Sequence, residues 1–162
     1  MKFSPIAAFK ALIDNGVDYV VIGGIGSALH GSTSVTQDLD ICYRRGRDNL
    51  VRLAAALTGM QATLRGAPEQ VPFILDAKTL SLGDNFTFNT MHGALDCLGH
   101  PAGSEGYEEL AARSVQVDLD GIVVRVASLD DLISMKMAAG RPKDRAEVEI
   151  LAALRDEIES QR

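Results

Sequence analysis

Cysteine is scarce in this chain: Cys42 and Cys97 are the only two, each inside an apolar segment, and neither belongs to a CxxC or Cys/His pattern with zinc-ligand spacing. Both read as reduced, buried thiols. Tryptophan is absent and aromatic residues make up 5% of the chain. No apolar run approaches the roughly 18 residues of a membrane span, and Met1 to Pro5 lacks the apolar core and cleavage site of a signal peptide, so a cytoplasmic protein is expected. Basic charge is in deficit as well. A formal net charge of −6 disfavours a broad, sequence-independent DNA-binding surface and leaves room only for a local basic rim.

What is present is an ordinary globular composition, 46% hydrophobic and 23% charged over 162 residues, without repeats, low-complexity tracts or an evident linker. One domain spanning residues 1–162 is expected. Ile6, Phe9, Leu12 and Ile13 recur at helical spacing before Asn15-Gly16. The β-branched run Val17 to Ile22 then reads as a buried strand ending at Gly23-Gly24. Ile25 to His30 forms a short helix pattern, Asp38 to Tyr43 a second strand, and Asn49 to Leu57 an amphipathic helix. Beyond a looser stretch with Pro68 and Pro72, Asn85 to Thr90 and Ala94 to Leu98 are joined tightly enough to pair antiparallel. Asp120-Gly121 marks a hairpin between Val115 to Leu119 and Ile122 to Val126. Ser128-Leu129-Asp130-Asp131 opens a helix as a capping box with Asp in the usual Glu place, Gly140 ends it, and Pro142 begins a last helix reaching about Ser160. The class is α+β, a small mixed sheet with helices packed on it and a helical C-terminal segment.

Two short motifs carry the chemistry. Along a strand, residues i and i+2 share a face, so Asp38 and Asp40 project together while Leu39 and Ile41 enter the core. Adjacent carboxylates repel unless a cation or proton lies between them, and their hard oxygens suit Mg²⁺. Upstream, Gly23-Gly24-Ile25-Gly26-Ser27 permits a turn with positive φ and bare amides at a helix start, where a phosphate can sit, with the Ser27 hydroxyl as a further donor. Each motif alone has a plainer account, a solvated sheet face for Asp38-Leu39-Asp40 and a tight turn for Gly23-Gly24, which also fails the dinucleotide pattern GxGxxG. Their joint occurrence points to metal-assisted phosphoryl chemistry.

Val21 to Gly31, leading into Thr36-Gln37-Asp38-Leu39-Asp40-Ile41, resembles the signature of the nucleotidyltransferase (DNA polymerase β-like) superfamily, and most closely the small MNT and AbiEii-type proteins linked to toxin–antitoxin systems. Ser128 to Ile133 with Lys136, then Ala138 to Asp144, is similar to the C-terminal helical region of those proteins, so the resemblance spans most of the chain. It implies a nucleotidyltransferase fold and transfer of a nucleoside monophosphate from an NTP such as ATP to an acceptor hydroxyl, with release of pyrophosphate. It implies Asp38 and Asp40 as ligands of Mg²⁺ or Mn²⁺, and Asp96 as a third carboxylate, either a further metal ligand or the base toward the acceptor. Gly23, Gly24 and Ser27 would hold phosphates. Many relatives carry an arginine where this chain has Ser34, which implies a weaker grip on the triphosphate.

Lys136, Arg141 and Lys143 would reach the triphosphate or an acceptor's phosphates; helix-end compensation and ion pairing with Asp144 or Glu147 is the equal alternative. Arg44-Arg45-Gly46-Arg47 reads as a solvated loop, with guidance of a polyanion such as RNA as the alternative. His30 caps its short helix, and Met135 and Met137 are packing residues. The acceptor is RNA, protein or a small hydroxyl compound such as an antibiotic, with an antitoxin or a second copy as a further partner and no membrane. The other functional class is a catalytically silent domain of the same fold that binds a nucleotide or a protein.

Overall fold

The computed structural model describes residues 2–33, 35–68 and 72–161. Helix α1 (Pro5–Asp14) begins where Ser4 Oγ accepts the amide of Ala7 at 3.3 Å, and Pro5 sits in the first turn, where no intrahelical bond is lost. Phe9 and Leu12 are buried with Ala8, whereas Ile6 and Ile13 are 44% and 40% exposed. At 3.6 residues per turn those two lie roughly a quarter turn off the buried stripe.

Strands β1 (Tyr19–Ile22), β2 (Asp38–Tyr43), β3 (Thr63–Leu64), β4 (Asn85–Thr90), β5 (Gly93–Leu98), β6 (Val115–Leu119) and β7 (Ile122–Val126) form one mixed seven-stranded sheet in the order β3-β4-β5-β2-β1-β7-β6. β1 and β2 are antiparallel, and β2 and β5 run parallel with Asp40 opposite Asp96. The remaining helices are α2 (Gly23–Leu29), α3 (Arg47–Gly59), α4 (Ala77–Ser81), α5 (Tyr107–Arg113), α6 (Leu129–Ala139) and α7 (Pro142–Ser160). β3, α4 and α5 carry no periodic signal in the sequence because each is too short to show one.

Apolar residues leave the sheet on both faces. Leu39, Ile41 and Leu95 pack with Phe9, Leu12, Leu53 and Leu57 in one cluster, and Val20, Ile22 and Cys42 pack with Leu110, Leu132, Ile133 and Leu151 in the other. Burying Leu39 and Ile41, 1% and 0% exposed, contributes roughly 1.5–3 kcal/mol each and pins the register of β2. Asp38 and Asp40 are thereby turned to the opposite face. Both thiols are buried, and burial pushes Cys42 up to about 12 and raises Cys97 too, so neither is a nucleophile near neutral pH.

Ser128 caps α6 by accepting the Asp131 amide at 3.1 Å, but the Asp131 carboxylate does not close the expected box. It accepts from Arg113 Nε at 3.0 Å and Nη2 at 2.9 Å, because α5 presents that guanidinium beside the helix start. Asp131→Ala is expected to destabilise the protein by about 2 kcal/mol, read as a lower urea midpoint at unchanged slope. Arg44 and Arg45 are likewise structural. Arg44 bonds Asp18 at 2.9 Å and Asp48 at 2.8 Å, while Arg45 bonds Asp84 at 2.6 Å and the carbonyls of Ser81 and Gly83. These partners tie the two arginines into the fold, where a solvated loop was expected. His30 Nε2 donates to the Ala127 carbonyl, 2.7 Å away, tying the end of α2 to the start of α6. That carbonyl is an acceptor, so the ring nitrogen facing it carries the proton. Met135 packs in the second cluster, but Met137 is 66% exposed, since the outer face of α6 meets no neighbour there. Among the described residues no helix is long and apolar enough to cross a membrane.

Candidate active site

A cleft of about 490 Å³ opens between the ends of β1, β2 and β5 and the α6–α7 pair. Its lining includes Gly23, Gly24, Asp38, Asp40 and Asp96 on the sheet side, and Lys136, Arg141 and Lys143 on the helical side. Leu98, Pro101, Leu132 and Met135 give it an apolar portion. Its size is that of a site for one small molecule. All the residues expected at the site line this cleft except Ser27.

Ser27 is 1% exposed, and its hydroxyl donates to the Gly23 carbonyl at 3.2 Å. Back-bonding to residue i−4 satisfies the hydroxyl inside the helix, so it is not a donor to the cleft. Ser34 lies outside the described residues. Beyond it Val35 and Thr36 form a rim, and the Thr36 side chain packs where a Cβ on Gly24 would stand, 3.0 Å away.

The glycine turn and the carboxylates touch. Gly23 has φ +66, and a Cβ there would lie 2.1 Å from Asp40 Oδ2, so only glycine fits. Burial, then the charge of Asp96 and a hydrogen bond with it, push the Asp40 carboxyl up to about 7, with Asp38 adding to the effect and Lys136 opposing it. Asp40 and Asp96 stand directly opposite each other on the paired strands β2 and β5. Asp38, at the exposed start of β2, faces the same side.

Hard oxygens from Asp38 and Asp40, poorly neutralised by their surroundings, fit a divalent cation. A complete shell of three carboxylates does not form. Among the described residues no three His, Cys, Asp or Glu side chains are gathered tightly enough to hold an ion. The reason at Asp96 is visible: Arg65 Nη2 donates to its Oδ1 at 2.7 Å. Asp96, expected as a third metal ligand or as the base, thus has one oxygen held by a guanidinium. Arg65 itself has no recognisable signal in the sequence, because it follows the two-residue β3 in the stretch read as loop.

On the opposite wall Lys136 and Arg141 make the expected ion pairs and also line the cleft. Lys136 ion-pairs with Glu147 of α7, and Arg141 Nε bonds Asp144 Oδ2 at 2.7 Å. Asp144 is 1% exposed and also accepts the Arg141 amide at 3.1 Å, which locks the α6–α7 corner. The Arg141 contact holds the Asp144 carboxyl below its ordinary range. Lys143 lines the same wall.

A family model described as nucleotidyltransferase of unknown function (DUF6036) matches residues 6–160. Among solved structures, the lincosamide antibiotic adenylyltransferase LnuA bound to lincomycin aligns with a TM-score of 0.62 at 11% identity, over 95% of this chain and 99% of that one. ANT(2″)-Ia in complex with adenylyl-2″-tobramycin aligns with a TM-score of 0.56 at 15% identity, over 95% and 94%. The protein TM1012 from Thermotoga maritima aligns with a TM-score of 0.51 at 15% identity, over 95% and 89%. At such identities the likeness is one of fold. Comparison with curated protein sequences gave no match.

Proposed function

The chain belongs to this family of nucleotidyltransferases, and from that membership we propose that it transfers a nucleoside monophosphate from an NTP to an acceptor hydroxyl, in a reaction dependent on Mg²⁺ or Mn²⁺. The observation that carries this reading is the pairing of Asp40 with Asp96 across the β2–β5 seam, against Gly23 and opposite Lys136 and Arg141. Asp38 and Asp40 are the residues to hold the cation, which when bound would neutralise the triphosphate and help align the reacting oxygens. Lys136, Arg141 and Lys143 balance the remaining phosphate charge. Gly23 and Gly24, at the start of α2, offer backbone amides to the phosphates. Asp96, through the carboxylate oxygen that Arg65 does not hold, takes the proton of the acceptor hydroxyl. The acceptor oxygen freed of that proton bonds to the α-phosphorus as the bond from this phosphorus to the bridging oxygen breaks, and pyrophosphate leaves.

A small hydroxyl compound is the acceptor the dimensions favour. The cleft is of single-ligand size, and the chain spans 94% and 99% of two proteins whose structures are named for adenylyl-tobramycin and lincomycin. RNA or protein as acceptor goes with the toxin reading, an MNT or AbiEii-type protein acting in the cytoplasm with an antitoxin or a second copy as partner. Incubation with each α-labelled NTP, Mg²⁺ and separate pools of tRNA, protein, aminoglycoside and lincosamide separates these outcomes. Label on an antibiotic but not on tRNA is expected. Label on tRNA alone favours the toxin, and no label with any NTP favours a silent nucleotide-binding or protein-binding domain.

A further inference from the structure

Arg65 crosses the sheet to reach the site. Its amide donates to the Thr87 carbonyl at 2.9 Å, extending the β3–β4 pairing by one residue, and Thr87 in turn stands opposite Asp96 on β5. Arg65, Thr87, Asp96 and Asp40 therefore form one row across four strands, and directly opposed residues share a face of the sheet. Neighbouring strands are about 4.8 Å apart, so β3 and β5 are separated by roughly 10 Å, a gap that a long side chain on one strand and a carboxylate on the other can close over a short residue between them. Thr87 is that short residue. The guanidinium ends above the β4–β5 seam, where Nη2 donates to the Phe88 carbonyl at 2.8 Å as well as to Asp96 Oδ1 at 2.7 Å.

We propose that Arg65 is a positioning residue: anchored to the backbone of β4, it holds one oxygen of Asp96 and so presents the other to Asp40 and the cleft. The planar guanidinium is what permits this, since the two hydrogens of Nη2 diverge in one fixed plane, one to the Phe88 carbonyl and one to the Asp96 carboxylate, whereas an ammonium on a flexible stem does not hold both in one geometry. The ion pair has side-chain exposures of 31% for Arg65 and 22% for Asp96, sheltered enough to fix a rotamer and open enough for an acceptor to arrive. Lys136, on the helical wall of the cleft, adds a second cation that acts on Asp40. This inference rests on the nucleotidyltransferase reading above, and it assigns Arg65 an effect on the chemical step and none on nucleotide binding.

The test is a double-mutant cycle in the full chain, reading pyrophosphate release from MgATP with the acceptor found in the labelling panel, or with water. Arg65→Gln is expected to lower turnover 10- to 100-fold, as loss of a partner orienting a reactive group typically does, with the KM for MgATP within about twofold of the parent. On an Asp96→Asn background the same change is expected to cost nothing further, because Arg65 acts through Asp96. A residue that merely stiffened the sheet would give multiplying losses instead. Multiplying losses, an equal rise in KM, or parental turnover in Arg65→Gln overturns the proposal while leaving the transferase reading standing. A parent that releases no pyrophosphate with any acceptor overturns both. Should Arg65→Gln fail to fold, Arg65→Lys keeps the charge and one of the two bonds. It is then expected to lose turnover several-fold at unchanged KM, and full parental turnover in that variant overturns the assignment.

Discussion

Asp40→Asn is expected to abolish transfer and, at the same time, to make the metal-free protein more stable above neutral pH. Loss of turnover should exceed about a thousandfold, since one neutral amide replaces the buried carboxylate on which both the cation site and the contact with Asp96 depend. The stability gain follows from the same burial. Asp40 has its carboxyl raised from 3.8 to about 7 in the folded protein, so between those values the folded state holds a proton that the unfolded chain has released. The site's contribution to stability is thus full below the unfolded value and is lost as pH rises through about 7. A loss on the order of 3 kcal/mol is expected once screening by the open cleft is allowed for. Scanning calorimetry of the two proteins in chelator should show similar melting near pH 4 and a variant higher by roughly 5–10 °C at pH 8. Millimolar Mg²⁺ at pH 8 should then raise the melting temperature of the parent and not of the variant. A parent whose stability does not fall between pH 4 and 8 would sink the electrostatic account of this carboxylate.

Gly23→Ala is expected to cost about 2–4 kcal/mol and to remove transfer with it. Two penalties combine at this position. The backbone is left-handed, φ +66, which an alanine adopts at a cost of roughly 1–2 kcal/mol, and the new Cβ would stand 2.1 Å from Asp40 Oδ2 and 2.9 Å from its Cβ and Cγ. Asp40 cannot withdraw along its strand, because Leu39 and Ile41 hold β2 from the other face. The carboxylate must rotate away, so folding and chemistry fail together. Gly121→Ala separates the two penalties: with φ +95 and nothing within 4 Å, it pays for backbone strain alone and lies in the β6–β7 hairpin away from the cleft. Thermal melting alongside labelled-nucleotide transfer should show both effects at Gly23 and only the smaller stability loss at Gly121. Parental transfer in Gly23→Ala would show that the contact with Asp40 is dispensable.

Much of this arrangement was legible without coordinates because it is written at short range. The alternation in Asp38-Leu39-Asp40-Ile41 states which side of β2 is apolar, and burial of the apolar pair turns the carboxylates outward whatever the rest of the chain does. Strand ends at Asn85, Thr90, Leu98 and Leu119 follow from glycine and turn chemistry next to them, and the limits of α7 follow from Pro142 and a run of helix formers. Burial of the two cysteines followed from their apolar neighbours. In each case the deciding partners lie within a few residues.

Long-range partnership set the rest. Asp96 becomes the neighbour of Asp40 only because β5 inserts beside β2 in parallel, a choice of sheet order that no local pattern contains. Arg65 meets Asp96 because a two-residue strand pairs at the sheet edge, and Ser27 turns inward because α2 already starts at Gly23, so that its hydroxyl lies one turn on, at the Gly23 carbonyl. Arg44 and Arg45 find Asp18, Asp48 and Asp84 across loops, which converts a basic cluster into structural ties. By itself the sequence determined the chemical kind of the site, glycine turn and alternating carboxylates, since covalent geometry and side-chain period act on adjacent residues. Tertiary structure decided which charges end in contact, since that depends on strand order and on which buried partner each ionic group reaches first.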